Sequence, residues 1–161
     1  MGDVPELDRL IRFLGEFDTA AVRDGSVGNY AGSLKTVPVM VSVAGATLRI
    51  STSLYRDFMP ACPPGGRPLI AGVTVVADPP SVVPPLTRAT RLAVVHGPMI
   101  WTSPVAEDQG RMRDPSQFTV VARGGPKWGP GIVVDVVLEV RDRDRRPYLV
   151  RAADQPIGRT D

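Results

Sequence analysis

The sequence predicts a mainly β fold: an antiparallel β-barrel or two-sheet β-sandwich of about seven strands, preceded by one amphipathic helix. Valine-rich segments repeat apolar residues with a period of two, which is typical of strands. The 17 prolines and 16 glycines cluster between these segments, where they indicate turns. No helical pattern lies between strands that could pair in parallel, so the sequence disfavours an α/β fold.

The N-terminal helix is predicted over residues 4 to about 17. Asp3 suits its N-cap and Pro5 its first turn, where a missing backbone donor is tolerated. Three glycines between residues 25 and 32 then end the pattern and predict a loop. The apolar side chains of the helix recur at the i, i+3, i+4 and i+7 spacing of one face: Leu7, Leu10, Ile11 and Leu14.

A first β-hairpin is predicted over residues 37–51. Apolar residues alternate with other residues on both sides of Ala44 and Gly45, which predict a tight turn. Pro38 favours a position at the sheet edge, since proline cannot donate to a central hydrogen-bond ladder. Residues 53–59 then predict a short helical turn that holds apolar side chains inward.

Two further strands are predicted in the middle of the chain. The apolar run over residues 69–77 is expected of a strand that is covered on both faces. Residues 91–101 carry the next strand signal, which Gly97 and Pro98 are expected to bend or bulge rather than end.

The last predicted strands form two hairpins. Residues 117–123 and 132–140 are expected to pair across a glycine-rich segment, and residues 132–140 are also expected to pair with residues 148–150 across a charged turn. Residues 1–152 are therefore predicted to form a single domain. Residues 153–161 are predicted to be a flexible tail, because chain ends are poorly ordered unless something ties them down.

Composition limits the classes of function. Hydrophobic residues make up 43% of the 161-residue chain and charged residues 22%, a balance typical of a globular protein. The net charge of +2 and the lack of an aromatic platform disfavour nucleic acid as a partner. The start of the chain lacks a secretory signal and no run is apolar enough to span a membrane, so we expect a cytoplasmic location and no membrane partner.

One cysteine and one histidine restrict the chemistry further. Cys62 cannot form a disulfide within the chain, and with His96 it cannot build a conventional zinc cluster of cysteines and histidines. We therefore predict no metal and no cofactor. Nothing near Cys62 in the sequence would activate its thiol, so no role is predicted for it.

His96 and Asp135 are the candidate catalytic residues. His96 titrates near neutral pH without help, and strand alternation places it on the face of Leu92 and Val94, where it could act as a general base in a barrel pocket. The alternative is a structural or surface histidine. Asp135 interrupts the most regular strand, so it either meets solvent, or pairs with an arginine such as Arg123 or with His96 across a cavity.

The candidate ligand-binding residues centre on a loop framed by glycines. Lys127 and Trp128 stand among four glycines and two prolines in residues 123–131, an arrangement that puts a cation and an aromatic ring on a mobile tip. Tyr30 and Arg123 are expected to join them. Alternatively, the indole folds back as a lid over the sheet end, and the glycines serve as turn formers.

Three functions fit these residues. The favoured one is a non-catalytic β-domain that binds a protein partner or a small organic ligand through its loop-rich end. The second is a cofactor-independent enzyme, an isomerase or cyclase, in which His96 transfers protons together with Asp135 or Glu107. The third is a self-assembling structural subunit whose edge strands pair with copies of itself, so a homo-oligomer is among the expected states.

Overall fold

The computed structural model describes residues 4–108 and 113–161. This part of the chain contains ten strands, two α-helices and a 3-10 turn, so the mainly β prediction is confirmed. The helices and strands run in the order α1 (Val4–Leu14), β1 (Ala21–Asp24), α2 (Tyr30–Leu34), β2 (Val41–Val43), β3 (Ala46–Asp57), β4 (Leu69–Ala77), β5 (Arg88–His96), β6 (Met99–Pro104), β7 (Ala106–Glu107), β8 (Gln117–Gly125), β9 (Val133–Arg141) and β10 (Pro147–Thr160).

The strands form one sheet that curls into a half-barrel. Its order is β1-β6-β5-β9-β10-β3-β4-β8-β7, and β2 pairs with β3 beside this path. Every strand pairing within the described residues is antiparallel except that of β10 with β3. The long strand β10 joins the two halves of the sheet, because its first part pairs with β9 and residues 157–160 pair with β3.

The inner face of the curled sheet holds the main hydrophobic core. Leu48 and Val73 from one half and Leu92 and Val136 from the other are all 0% exposed. Trp101 of β6, at 1% exposed, is the largest fully buried side chain of the described residues. Burying one such side chain contributes about 1.5–3 kcal/mol, so this two-sided core is the main stabilising layer.

The helices cover the outer face of the half of the sheet that contains β5 and β9. Leu10 and Leu14 of α1 and Leu34 of α2 pack there against Ala93 and Val137. α1 ends at Leu14, about three residues before its predicted end. In the described part of the chain, no helix is long and apolar enough to cross a membrane.

The number of strands is underestimated by the sequence, which predicts about seven rather than the ten described. Gly97 adopts a φ of +57° and forms a chain-reversing turn with Pro98, so the single strand predicted over residues 91–101 is in fact the hairpin β5–β6. β1 and β7 have four and two residues, too few to show a periodic pattern. The sheet is a curled half-barrel rather than the closed barrel or two-sheet sandwich expected.

The hairpin predicted across residues 124–131 does not form. β8 pairs with β4 and β7, whereas β9 pairs with β5 and β10, so the link between β8 and β9 crosses from one half of the sheet to the other. A short glycine-rich link is compatible with either a hairpin or a crossover. The sequence therefore could not distinguish the two, and the hairpin predicted between β8 and β9 is wrong. The second predicted hairpin, β9–β10, is confirmed by the pairing of Val140 with Tyr148.

β2 and β3 form the hairpin predicted around Ala44 and Gly45, whose φ values are +47° and +85°. β2 begins only at Val41, because the carbonyl groups of residues 37 and 38 instead accept hydrogen bonds from Arg151. β3 continues to Asp57 in place of the predicted helical turn. Its ladder with β4 aligns the two strands that carry the candidate site.

The C-terminal segment belongs to the sheet. The sequence predicts a flexible tail over residues 153–161, but β10 extends to Thr160. Ile157 is 2% exposed and packs into the main core, which ties the segment down. Asp154 has a φ of +52° beside a register shift, and this irregularity interrupts the alternation on which the sequence prediction depends.

Two serines hold aspartate carboxylates in tight turns. Asp24 accepts hydrogen bonds from the backbone N–H of Ser26 at 2.8 Å and from its hydroxyl at 2.6 Å. Asp114 accepts the equivalent pair from Ser116, each at 2.7 Å. These bonds, the serine hydroxyl first, hold the pKa of both carboxyl groups below its ordinary value.

We expect the stability of the protein to fall in acid. A carboxylate with a lowered pKa stabilises the fold above the pKa of the unfolded chain, about 4, and that contribution is lost as the pH falls through the lower folded value. The thermal midpoint should therefore stay level from pH 7 to about 5 and decrease below about 4. Circular dichroism melts at pH 6 and pH 3 measure this, and Asp114→Asn should reduce the difference; an unchanged difference would contradict the role of Asp114.

Candidate functional site

His96 and Trp128 lie together at one end of the curled sheet. His96 is the last residue of β5 and shares the inner face with Val94, while Trp128 is partly buried against the main core. Their ring centroids are 5.2 Å apart, and the rings meet edge to face at 62°. The indole therefore folds back over the sheet end, which is the alternative that the sequence leaves open.

Arg56 tethers the loop that carries Trp128. Arg56 is only 4% exposed to solvent. A buried guanidinium group is stable only where hydrogen bonds satisfy its N–H donors. Lys127 is exposed on the same loop. Four backbone carbonyl groups accept hydrogen bonds from Arg56: those of Gly65, Arg67 (2.9 Å), Lys127 (3.5 Å) and Gly129 (2.8 Å).

Asp135 forms a buried ion pair on the face of the sheet opposite His96. Its Oδ2 lies 3.0 Å from Nη1 of Arg151, and the residue is 9% exposed, so it does not face open solvent. Asp135 pairs across the ladder with Val95 and shares its face, so His96, the next residue, points the other way. The two predicted catalytic residues are therefore not brought together, and the arginine that pairs with Asp135 is Arg151 rather than Arg123.

Tyr30 lies in the helical layer. Its ring stacks on Phe13 with a centroid distance of 4.2 Å, and the Arg9 guanidinium lies 4.5 Å from the ring centre. Tyr30 packs against the core beneath the helices, whereas Trp128 packs against the core on the inner face. These two predicted ligand contacts therefore belong to different sides of the sheet.

A depression on the outer face of β3, β4 and β8 brings together a further set of side chains. The helices pack on the other half of the sheet and leave this face uncovered. Serine and threonine are the most frequent residues of its lining, and the volume of the depression is about 230 Å³. We call this surface the hydroxyl face, and it comprises Ser51, Ser53 and Tyr55 of β3, Ile70, Gly72 and Thr74 of β4, and Thr119, Val121 and Arg123 of β8.

Strand register arranges the hydroxyl groups in a row. Ser51 pairs with Thr74, and Thr74 pairs with Thr119, so the three lie side by side across three strands. Oγ1 of Thr74 lies 2.8 Å from Oγ1 of Thr119. A hydroxyl group both donates and accepts hydrogen bonds, so this row can meet either kind of polar ligand group.

Gly72 lies at the middle of the hydroxyl face, between Ser53 and Val121 in the ladder. A Cβ atom built there would lie 3.5 Å from the carbonyl oxygen of Ser53, an ordinary contact, and the backbone has no left-handed φ. The fold therefore does not require glycine here, although glycine inside a strand costs about 0.5–1 kcal/mol relative to alanine. Such a glycine is typical of a place that another molecule approaches closely.

Arg123 stands at a β-bulge at one end of the hydroxyl face. Two residues of β8, Arg123 and Gly124, face the single residue Ile70 of β4. Gly124 has a φ of +76°, a conformation that favours glycine. Bulges often lie next to binding sites, where they re-aim a side chain, and this one leaves Arg123 lining the depression.

No protein family, curated protein or solved structure matches this chain. Among the described residues, no three His, Cys, Asp or Glu side chains lie close enough to hold a metal ion. The groups that the hydroxyl face offers are hydroxyls, one phenol, one guanidinium and small apolar side chains. These groups bind by hydrogen bonding and by charge.

Of the residues on the hydroxyl face, the sequence predicts only Arg123 as a site residue. The sequence predicts Ser51 as an outward residue of a strand, but it places Ser53 and Tyr55 in a helical turn over residues 53–59. Thr74 lies in a run that looks covered on both faces. The signal that could have found the site is the pair Gly72 and Thr74 at successive outward positions of β4, where a strand covered on both faces would carry large apolar side chains.

Proposed function

We propose that this chain is a non-catalytic β-domain that binds a small polar organic ligand on the hydroxyl face. The observation that carries the proposal is Gly72, a mid-strand glycine that the packing does not require, at the floor of a depression lined by hydroxyl groups. A branched side chain at this position would occupy part of this space. The glycine therefore keeps the depression open at a cost to the strand.

The chemistry of the lining supports a polar ligand of modest size. The hydroxyls of Ser53, Thr74 and Thr119 supply donors and acceptors, while Ile70 and Val121 add small apolar contacts. A volume of about 230 Å³ is below the ~300–1,000 Å³ usual for drug-sized ligands. We therefore expect a ligand smaller than these, with several hydroxyl or carbonyl groups.

Gly72→Val is expected to abolish ligand binding and leave the fold intact. Valine suits a strand, and its Cβ meets only ordinary contacts at this position, but its methyl groups would occupy the depression. The measurement is a titration of ¹⁵N-labelled protein with neutral sugars, amino acids and organic acids. In the unmodified chain, the amide signals of β3, β4 and β8 should shift; in the variant they should not.

Val76→Leu provides a matched control for this experiment. Val76 lies on the same strand and the same face as Gly72 but outside the depression, so added bulk there should leave the ligand-induced shifts unchanged. The proposal is wrong if no compound shifts the amides of this face. It is also wrong if the shifts are the same in Gly72→Val as in the unmodified chain.

The loop-rich end is a less favourable place for a ligand. Trp128 already contacts His96 there, and Arg56 holds the loop through backbone carbonyls, so a ligand would have to displace existing contacts. The form of the enzyme hypothesis that pairs His96 with Asp135 is less favourable, because the two residues lie on opposite faces of adjacent strands. Binding of a protein partner and self-assembly stay predictions.

A further inference from the structure

Arg123 places a guanidinium group at the edge of the hydroxyl face. Within the described residues its side chain is exposed and forms no hydrogen bond or ion pair. Several other arginines of the sheet are paired, as Arg49 is with Asp78 at 2.8 Å and Arg151 with Asp135 at 3.0 Å. Arg123 therefore presents five free N–H donors beside the depression.

The distance between Arg123 and the hydroxyl row sets the size of a ligand that could bridge them. Arg123 lies four residues along β8 from Thr119, which is roughly 13 Å between their Cα atoms at the rise of an antiparallel strand. The arginine side chain spans part of this distance, and Gly72 leaves the space between them open. The remaining gap suits a molecule of monosaccharide size.

We infer that the ligand is a hydroxylated carboxylate of monosaccharide size, of the class of sugar acids. Its carboxylate binds Arg123, and its hydroxyl groups lie over Gly72 against Ser53 and the Thr74–Thr119 pair. A guanidinium matches a carboxylate through two parallel hydrogen bonds, which fixes the orientation of the ligand. This inference rests on the proposed function of the hydroxyl face.

The charge of the depression favours one carboxylate over a phosphate group. Arg123 is the one cation among the described residues that line it, and Asp108, which has interactions of its own, adds a negative charge to the lining. A phosphate ester carries about −1.5 to −2 charges at pH 7. Phosphates are typically held by backbone N–H groups of a helix N-terminus or nest, and the strand backbone here is engaged in its ladder.

Titration of the ¹⁵N-labelled full chain with four probes tests the inference. D-glucuronate has both a carboxylate and hydroxyl groups, D-glucose lacks the carboxylate, propionate lacks the hydroxyls, and glucose 6-phosphate replaces the carboxylate by a phosphate. Glucuronate should shift the amides around Gly72 with a Kd on the order of 1 mM, as expected for a ligand of this size. It should bind at least about tenfold more tightly than each of the other three.

Two arginine variants sharpen the result. Arg123→Gln should weaken glucuronate binding by about tenfold or more and leave glucose binding unchanged, because only the charge-assisted bonds are lost. Arg12→Gln is the matched control: this arginine is also exposed and lies on α1, so it should have no effect on either probe.

The outcomes separate this inference from the proposed function. The sugar-acid assignment is wrong if glucose or propionate binds as tightly as glucuronate, or if glucose 6-phosphate binds more tightly. It is also wrong if the Arg123→Gln variant binds glucuronate normally. Each of these results would still leave a polar ligand site in place. No shift on the hydroxyl face from any probe, or shifts that persist in Gly72→Val, would overturn both.

Discussion

Arg56→Met should destabilise the fold by about 2–4 kcal/mol, because it removes the hydrogen bonds by which a buried guanidinium holds two loops. Arg56 is 4% exposed, and its guanidinium donates to the carbonyl groups of two separate loops, residues 65–67 and 127–129. Methionine nearly fills the same volume, so the loss is one of hydrogen bonds rather than of packing. A hydrogen bond from a charged donor contributes about 1.5–3 kcal/mol, and this loss is partly offset because a buried charge is removed and water can reach the freed carbonyl groups.

Arg49→Met is the matched control for this substitution. Arg49 is on the same strand, but its side chain is 48% exposed and pairs with Asp78, so its loss should cost less than about 1 kcal/mol. Urea denaturation measures both changes. Tryptophan fluorescence adds a second readout, compared in a Trp101→Phe background so that the emission comes from Trp128, since loss of the tether should expose the indole that now contacts His96. If the two variants lose the same stability, Arg56 does not hold the loops as described.

Long, regular alternation is what the sequence predicts well. β4 and β9 have nine residues each, and the predicted strands over residues 69–77 and 132–140 coincide with them almost residue for residue. Alternation also placed His96 on the face of Val94. Short strands such as β7 and irregular ones such as the end of β10 carry too few repeats for the pattern to rise above chance.

The sequence does not predict which strands lie next to each other in the sheet. The link between β8 and β9 reads as a hairpin, yet β8 lies beside β4, because the curled sheet needs apolar faces from both halves to close one core. The hydroxyl row joins Ser51, Thr74 and Thr119 from three strands, and it exists only once that order is known. The partner of Asp135 could not be predicted for the same reason, because Arg151 lies on the neighbouring strand β10 and is brought to Asp135 by the pairing of the two strands.

Arg141→Ala should cost about 3–5 kcal/mol, because it strips a buried carboxylate of its partner. Glu139 is 2% exposed, and its Oε2 lies 2.6 Å from Nη2 and 2.7 Å from Nε of Arg141. Arg159 and Asp161 are also two residues apart, but their side chains are 50% and 63% exposed. Arg159→Ala should therefore cost less than about 1 kcal/mol, since water solvates the freed carboxylate.

A double variant distinguishes loss of charge compensation from loss of packing. If the penalty of Arg141→Ala comes from the uncompensated charge of Glu139, adding Glu139→Leu should recover most of the stability, because an apolar side chain of similar size suits the buried position. Urea denaturation of the single and double variants measures this recovery. If Arg141→Ala costs no more than Arg159→Ala, the pair contributes no more than a surface ion pair. If the double variant is as unstable as Arg141→Ala, the lost stability comes instead from packing of the aliphatic part of the Arg141 side chain.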